Sequence, residues 1–131
     1  MKVVVKGNVV DIPEDSSIFI PTKWMFELSG EDFRRLCILR WRYTFFVEKA
    51  LKENPDADLS RVFYESQQSL CELLGYSSRS RSKVSELLSR FEEKGFITVI
   101  REQRYIEGLG PRPIHYITVV DSKLEGRYER R

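Results

Sequence analysis

Arg79, Arg81 and Lys83 stand at every second position, with Ser80 and Ser82 between them, and Ser85, Ser89 and Arg90 follow within the next seven residues. Guanidinium and ammonium groups donate to anionic oxygens, arginine through two parallel bonds, and a serine hydroxyl donates or accepts. The set is built to recognise an anion. It is poorly equipped for acid–base or nucleophilic chemistry. The one histidine, His115, sits in a segment of alternating polarity with no cysteine or paired carboxylates at a spacing that would hold a metal or share a proton. Cys37 and Cys71 fall on apolar helix faces and read as small buried hydrophobes rather than a disulfide framework or a zinc site. Gly108, Leu109, Gly110 and Pro111 lack the preceding strand, following helix and lysine of a phosphate loop. The expectation is a protein that is not an enzyme and needs no cofactor or metal.

Charge places the anion-binding face. The 131 residues carry 22 basic and 20 acidic side chains, a net of +2, too little by itself to argue for a polyanionic partner. The distribution is uneven. Residues 1–76 have a net of −2, whereas residues 77–131 hold 12 basic against 8 acidic groups, a net of +4. With 41% hydrophobic residues the chain has enough apolar material for one core, and its length suits one domain. The first apolar run, Val3 to Val5, is too short for a signal-peptide core or a membrane span, so a cytoplasmic location is expected.

Those residues must be positioned by regular elements. Residues 1–28 read as a β arm or short hairpin, with a turn at Lys6, Gly7 and Asn8, followed by an extended entry segment and a turn or short helix at residues 23–28. Ser29 then opens a long helix, residues 31–53, with Phe33, Leu36, Cys37, Tyr43, Thr44, Val47 and Leu51 on one face. Arg40 interrupts that stripe, and Arg34, Arg35, Arg42 and Lys49 form a polar sector. Ile38, Trp41 and Phe45 make a second apolar strip, which suits either burial within the chain or a contact with a second copy or partner.

After the breaker at Asn54 and Pro55, residues 61–65 read as a strand. Ser66 caps a short helix, 67–74, that stops at Gly75. An amphipathic helix, 79–94, follows with Val84, Leu87, Leu88 and Phe91 on its apolar side and Gly95 at its end. Two β-rich runs within residues 96–120 make a hairpin whose long tip spans Tyr105 to Pro113, and residues 121–131 read as a frayed tail.

This order, with the motif residues Leu70 to Ser77 and the stretch Val84, Ser85, Glu86, Leu87, Leu88, Ser89, Arg90, Phe91, Glu92, Glu93, Lys94, Gly95, Phe96 and Ile97, resembles the bacterial and plasmid winged-helix families. The segment FIPTKWMFELSGEDFRRLCILRWR is similar to the entry of plasmid replication initiator N-terminal domains. The likeness covers residues 18–120 and implies an α+β, mainly α, winged helix-turn-helix occupying residues 29–120. One feature departs from the pattern: Gly75 precedes Val84 by nine positions instead of about six, nearly one additional helical turn. Either the amphipathic helix is extended at its start or the turn is a longer loop.

The outward side of that helix presents Arg79, Ser82, Lys83, Ser85, Glu86, Ser89 and Arg90, with Arg81 in its first turn, and suits the phosphates and base edges of double-stranded DNA. A plainer alternative is a solvated first turn. Cations at a helix start oppose the macrodipole, which argues for a role beyond folding. Arg112, lifted on the hairpin tip and flanked by Arg101 and Arg104, is a second candidate contact. Gln67 and Gln68, beside Ser66, are a third, where the resemblance implies that the short helix crosses the phosphate backbone. The function expected is sequence-specific duplex DNA binding in transcription regulation or DNA replication. The alternative is a protein-interaction module that docks a partner, or dimerises, through Ile38, Trp41 and Phe45.

Overall fold

Between Gly30 and Pro55 the chain has neither glycine nor proline, and in the computed structural model α2 (Gly30–Glu53) runs through that stretch for 24 residues. Residues 1–5, 8–14, 17–77 and 79–119 are described. The expected turn at Lys6 and Gly7 and the expected tail at 121–131 lie outside them, as does Val120 at the end of the expected hairpin. The start of α2 is fixed locally: the Ser29 hydroxyl accepts from the Asp32 N–H at 3.3 Å, and Glu31 and Asp32 place negative charge at the positive end of the helix. Leu36, Leu39, Tyr43 and Val47, spaced three or four apart, bury one side against the rest of the chain.

Ahead of it, β1 (Lys2–Val5) and β2 (Asn8–Asp11) pair antiparallel, and α1 (Trp24–Glu27) seats Trp24 in the core, edge-on to Phe96. Arg40 is buried in the apolar stripe and donates from Nε to the Phe19 carbonyl at 2.9 Å, which ties the entry segment onto α2. Arg42 corrects the sequence reading. Instead of joining a polar sector it is only 8% exposed, paired with Glu65 at 3.1 Å and lying 4.9 Å from the rings of Phe45 and Phe46. The segment after Asn54 folds back over that side of α2, and the carboxylate it brings makes burial of the cation tolerable.

The expected strand at residues 61–65 does not form. Asp58 accepts from the backbone and hydroxyl of Ser60 and from Arg61, and draws Leu59–Arg61 into a 3-10 turn. One sheet-like bond survives, from the Ile117 N–H to the Phe63 carbonyl at 2.9 Å.

Ser66 then caps α3 (Gln67–Leu73) by accepting from Ser69 N–H. Gly75 ends it at φ +79°, where an L side chain would be strained, and the Tyr76 N–H closes back on the Cys71 carbonyl at 2.8 Å. The extra residues of this connection form a longer turn: α4 (Arg81–Glu93) begins after Arg79, which remains in the loop. Val84, Leu87 and Phe91 of α4 join Leu70 and Cys71 of α3, and Leu74 just after it, in a common core with Phe63 and Ile117.

The chain closes with β3 (Ile97–Ile106) and β4 (Gly110–Val119), antiparallel from Ile97 opposite Val119 to Ile106 opposite Gly110. Their base lies in the core, and beyond residue 102 the hairpin projects outward with little burial. The tip is shorter than expected: only residues 107–109 are outside the strands, and Pro111 and Pro113 stand in β4 opposite Tyr105 and Gln103. In a two-stranded sheet each strand has a free edge, where alternate prolines lose no ladder bond. Mixed helix and strand, with two small antiparallel sheets among the described residues, make the fold α+β.

Candidate nucleic-acid interface

The start of α4 differs from the starts of the other two main helices. α2 and α3 each have a serine whose oxygen accepts a first-turn N–H, and α2 adds two acids. Ser80, before α4, makes no side-chain cap, and the first turn holds Arg81 and Lys83 with no acid. Arg79, Arg81, Ser82 and Lys83 are all exposed. A first turn that Ser80 does not cap, and whose charged side chains are all cationic, attracts an anion.

Farther along, the outward residues divide. Ser82, Glu86, Ser89 and Glu93 occupy the middle of the exposed side, so the helix is cationic at its start and mixed in its second half. Ser85 is half-buried and accepts from Gln67 Nε2 at 2.9 Å, a bond that locks α3 against α4. Arg90, expected to point freely outward, donates to both oxygens of Asp32 at 3.1 and 3.2 Å. Gln68 is exposed, whereas Gln67 is half-buried and committed to Ser85.

The hairpin arginines also separate into two kinds. Arg101 is held by Glu92 of α4 through two bonds, at 3.1 and 3.3 Å, and that guanidinium keeps the Glu92 carboxyl below the ordinary glutamate range. Arg101 braces the hairpin base. Arg112 corrects the sequence reading in its placement: it lies within β4, directly opposite Arg104, rather than on the tip. Arg104 rests 5.5 Å over the Tyr116 ring, and Arg112 donates to the Pro111 carbonyl at 3.2 Å. Like charges directly opposed across a ladder are destabilising, so this rung is a poor choice for folding alone.

Arg104 and Arg112 line a groove of about 790 Å³ with Tyr64, Ser66, Gln67 and His115. The groove runs from the hairpin to the start of α3, and Gln67 continues the surface onto α4 through Ser85. Tyr64 is the residue sequence reasoning missed. It is half exposed, edge-on to Tyr116 at 5.5 Å, and the signal was present in the alternation of buried Phe63 with its neighbour. His115 is exposed at the groove rim.

The second apolar strip has a neighbour within the chain. Ile38 and Trp41 are half-buried and line a cavity of about 340 Å³ with Val3, Val4 and Ile12 of the N-terminal hairpin. Phe45 stays 44% exposed, edge-on to Phe46.

No family model matches the chain, and no curated protein matches it. A solved structure described as the N-terminal domain of a DNA binding protein is similar over 89% of this chain and 86% of its own, with 18% sequence identity and a TM-score of 0.48. No helix among the described residues is long and apolar enough to cross a membrane.

Proposed function

We propose that this chain is a winged helix-turn-helix domain that binds double-stranded DNA sequence-specifically, as a transcription regulator or as the DNA-binding part of a replication initiator. In this reading α3 and α4 are the helix-turn-helix, β3 and β4 the wing, and the start of α4 enters the major groove. The observation that carries it is the uncapped, acid-free first turn of α4, with Arg79, Arg81 and Lys83 exposed around it. A fold that needed only a stable helix would place a cap and an acid there, as this same chain does at α2. The facing pair Arg104 and Arg112 supports the same reading, because a phosphate between or beside them relieves their repulsion. Arg101 and Arg90 position the wing and α4 through their carboxylates and act on DNA indirectly.

The experiment is selection of bound duplexes from a random pool, followed by binding of the enriched duplex at a series of salt concentrations. An enriched motif is expected, with affinity falling linearly in log salt. Arg79→Ala, Arg81→Ala and Lys83→Ala each weaken binding, by about 1–3 kcal/mol where the side chain reads a base. No enrichment, or unchanged affinity in all three variants, overturns the reading.

A further inference from the structure

The wing ends in an apolar tip that its own fold does not use. Tyr105 is 78% exposed and Leu109 58%, and Ile106 beside them is also exposed, for among the described residues no element packs over this end of the hairpin. The turn itself is well formed without these side chains: the Leu109 N–H closes on the Ile106 carbonyl at 2.9 Å, and Gly108 and Gly110 take the positive φ angles. Leu109 therefore contributes surface rather than turn geometry. An apolar end on a projecting arm needs a partner, and the arm's charge selects its kind.

Two rungs behind the last strand pair stands the Arg104 and Arg112 rung, about 7 Å back along the strands. Over residues 104–112 the two arginines outweigh the single acid, Glu107. A hydrophobic end backed by facing guanidiniums at that distance matches the depth of a DNA minor groove, about 7.5 Å from rim to floor, with phosphates along the rim. A pocket on another protein would be served by the apolar tip alone. Two strands about 4.8 Å apart, each with its side chains, are too wide for a minor groove of about 6 Å in unperturbed duplex. Entry requires the groove to open, and an apolar wedge between base pairs is the means by which proteins open it.

We infer that the wing tip is such a wedge: Leu109, flanked by Tyr105 and Ile106, enters the minor groove and partly unstacks one base step, while Arg104 and Arg112 hold the phosphates on either side. The inference rests on the DNA-binding reading above and adds a deformation of the duplex to it. Its consequence is a bend toward the major groove, centred beside the site read by α4.

The test uses the full chain and the duplex enriched by selection, labelled at its ends for distance measurement and carrying 2-aminopurine at successive positions. Wild type is expected to shorten the end-to-end distance, corresponding to a bend of about 20° or more, and to raise 2-aminopurine fluorescence at one step. Leu109→Ala should abolish both while still binding, and Leu109→Met should retain them. Wild type that binds without bending, or Leu109→Ala that bends equally, overturns the wedge and leaves duplex binding intact. Wild type that binds no duplex overturns the functional reading itself, and the wedge with it.

Discussion

Arg90 donates to both carboxylate oxygens of Asp32, 58 residues earlier in the chain. The pair fastens the last turn of α4 to the first turn of α2, so the helix proposed to enter the groove is held by the longest helix of the domain. Arg90 is 46% exposed, which limits the pair to the worth of a surface ion pair. Arg90→Ala is expected to lower stability by about 0.2–1 kcal/mol in denaturant unfolding and to leave duplex affinity nearly unchanged. Lys83→Ala should do the reverse, weakening binding with no measurable change in unfolding. Two variants on one helix thus separate anchoring from recognition, and equal effects on affinity would place Arg90 at the DNA.

Arg112 faces Arg104 across the ladder, and the cost of that repulsion is present whenever no anion is bound. Arg112→Gln should therefore leave the free protein as stable or slightly more so. The same variant should bind duplex more weakly at low salt, with the slope of log affinity against log salt reduced by about 1. Thermal unfolding and a salt series on one preparation check both halves. An unchanged slope would remove Arg112 from the phosphate contacts.

Local signals made much of this fold legible. Ser29 and Ser66 lie where an N-cap must lie, Gly75 and Gly95 where a helix must stop, and the elements between them form within a few residues of expectation. What could not be read was decided by groups distant in the chain. Pro111 and Pro113 look like turn residues, but they sit in a strand because, among the described residues, no third strand pairs with its outer edge there, a fact of sheet arrangement rather than composition. Residues 61–65 have strand composition, yet the bonds converging on Asp58 take the chain into a turn first. Of the candidate cations, Arg90 and Arg101 are engaged by Asp32 and Glu92, and the buried Arg42 by Glu65. A basic residue on a helical wheel carries no mark that distinguishes one with a carboxylate waiting across the fold from one facing solvent. The run of cations from Arg79 to Lys83 was legible because it is local, whereas the first residue of the helix, Arg81 rather than Arg79, and its missing cap were not.

Arg42 and Glu65 form a pair that holds the segment before α3 against α2, and the Glu65 side chain is almost wholly buried. Truncating one partner leaves the other's charge in a low-dielectric setting. Glu65→Ala is expected to cost about 3–5 kcal/mol in denaturant unfolding, whereas replacing both with apolar residues, Arg42→Met with Glu65→Leu, should recover most of that loss. A double variant as unstable as the single one would show that the pair's hydrogen-bond geometry, rather than its buried charge, is what the fold requires.

Asp58 links the 3-10 turn to the wing. Its carboxyl accepts from the Ser60 hydroxyl at 2.6 Å and from Arg61 at 2.7 Å, and Arg61 reaches on to Glu102 of β3 at 2.7 Å. Those bonds, the Ser60 hydroxyl foremost, hold the Asp58 carboxyl below the ordinary aspartate range. A carboxyl with a lower pKa folded than unfolded stabilises the protein fully above its unfolded value, about 3.9, and loses that contribution as the pH falls through the folded value. Wild type should therefore unfold at a higher temperature than Asp58→Asn at pH 7 and pH 5, and the gap should narrow below about pH 4. A gap that persists undiminished in acid would assign the stabilisation to side-chain shape instead of charge. Arg61→Ala should lower the wild-type melting temperature at pH 7 as well, because it severs the turn from the wing base while Asp58 remains.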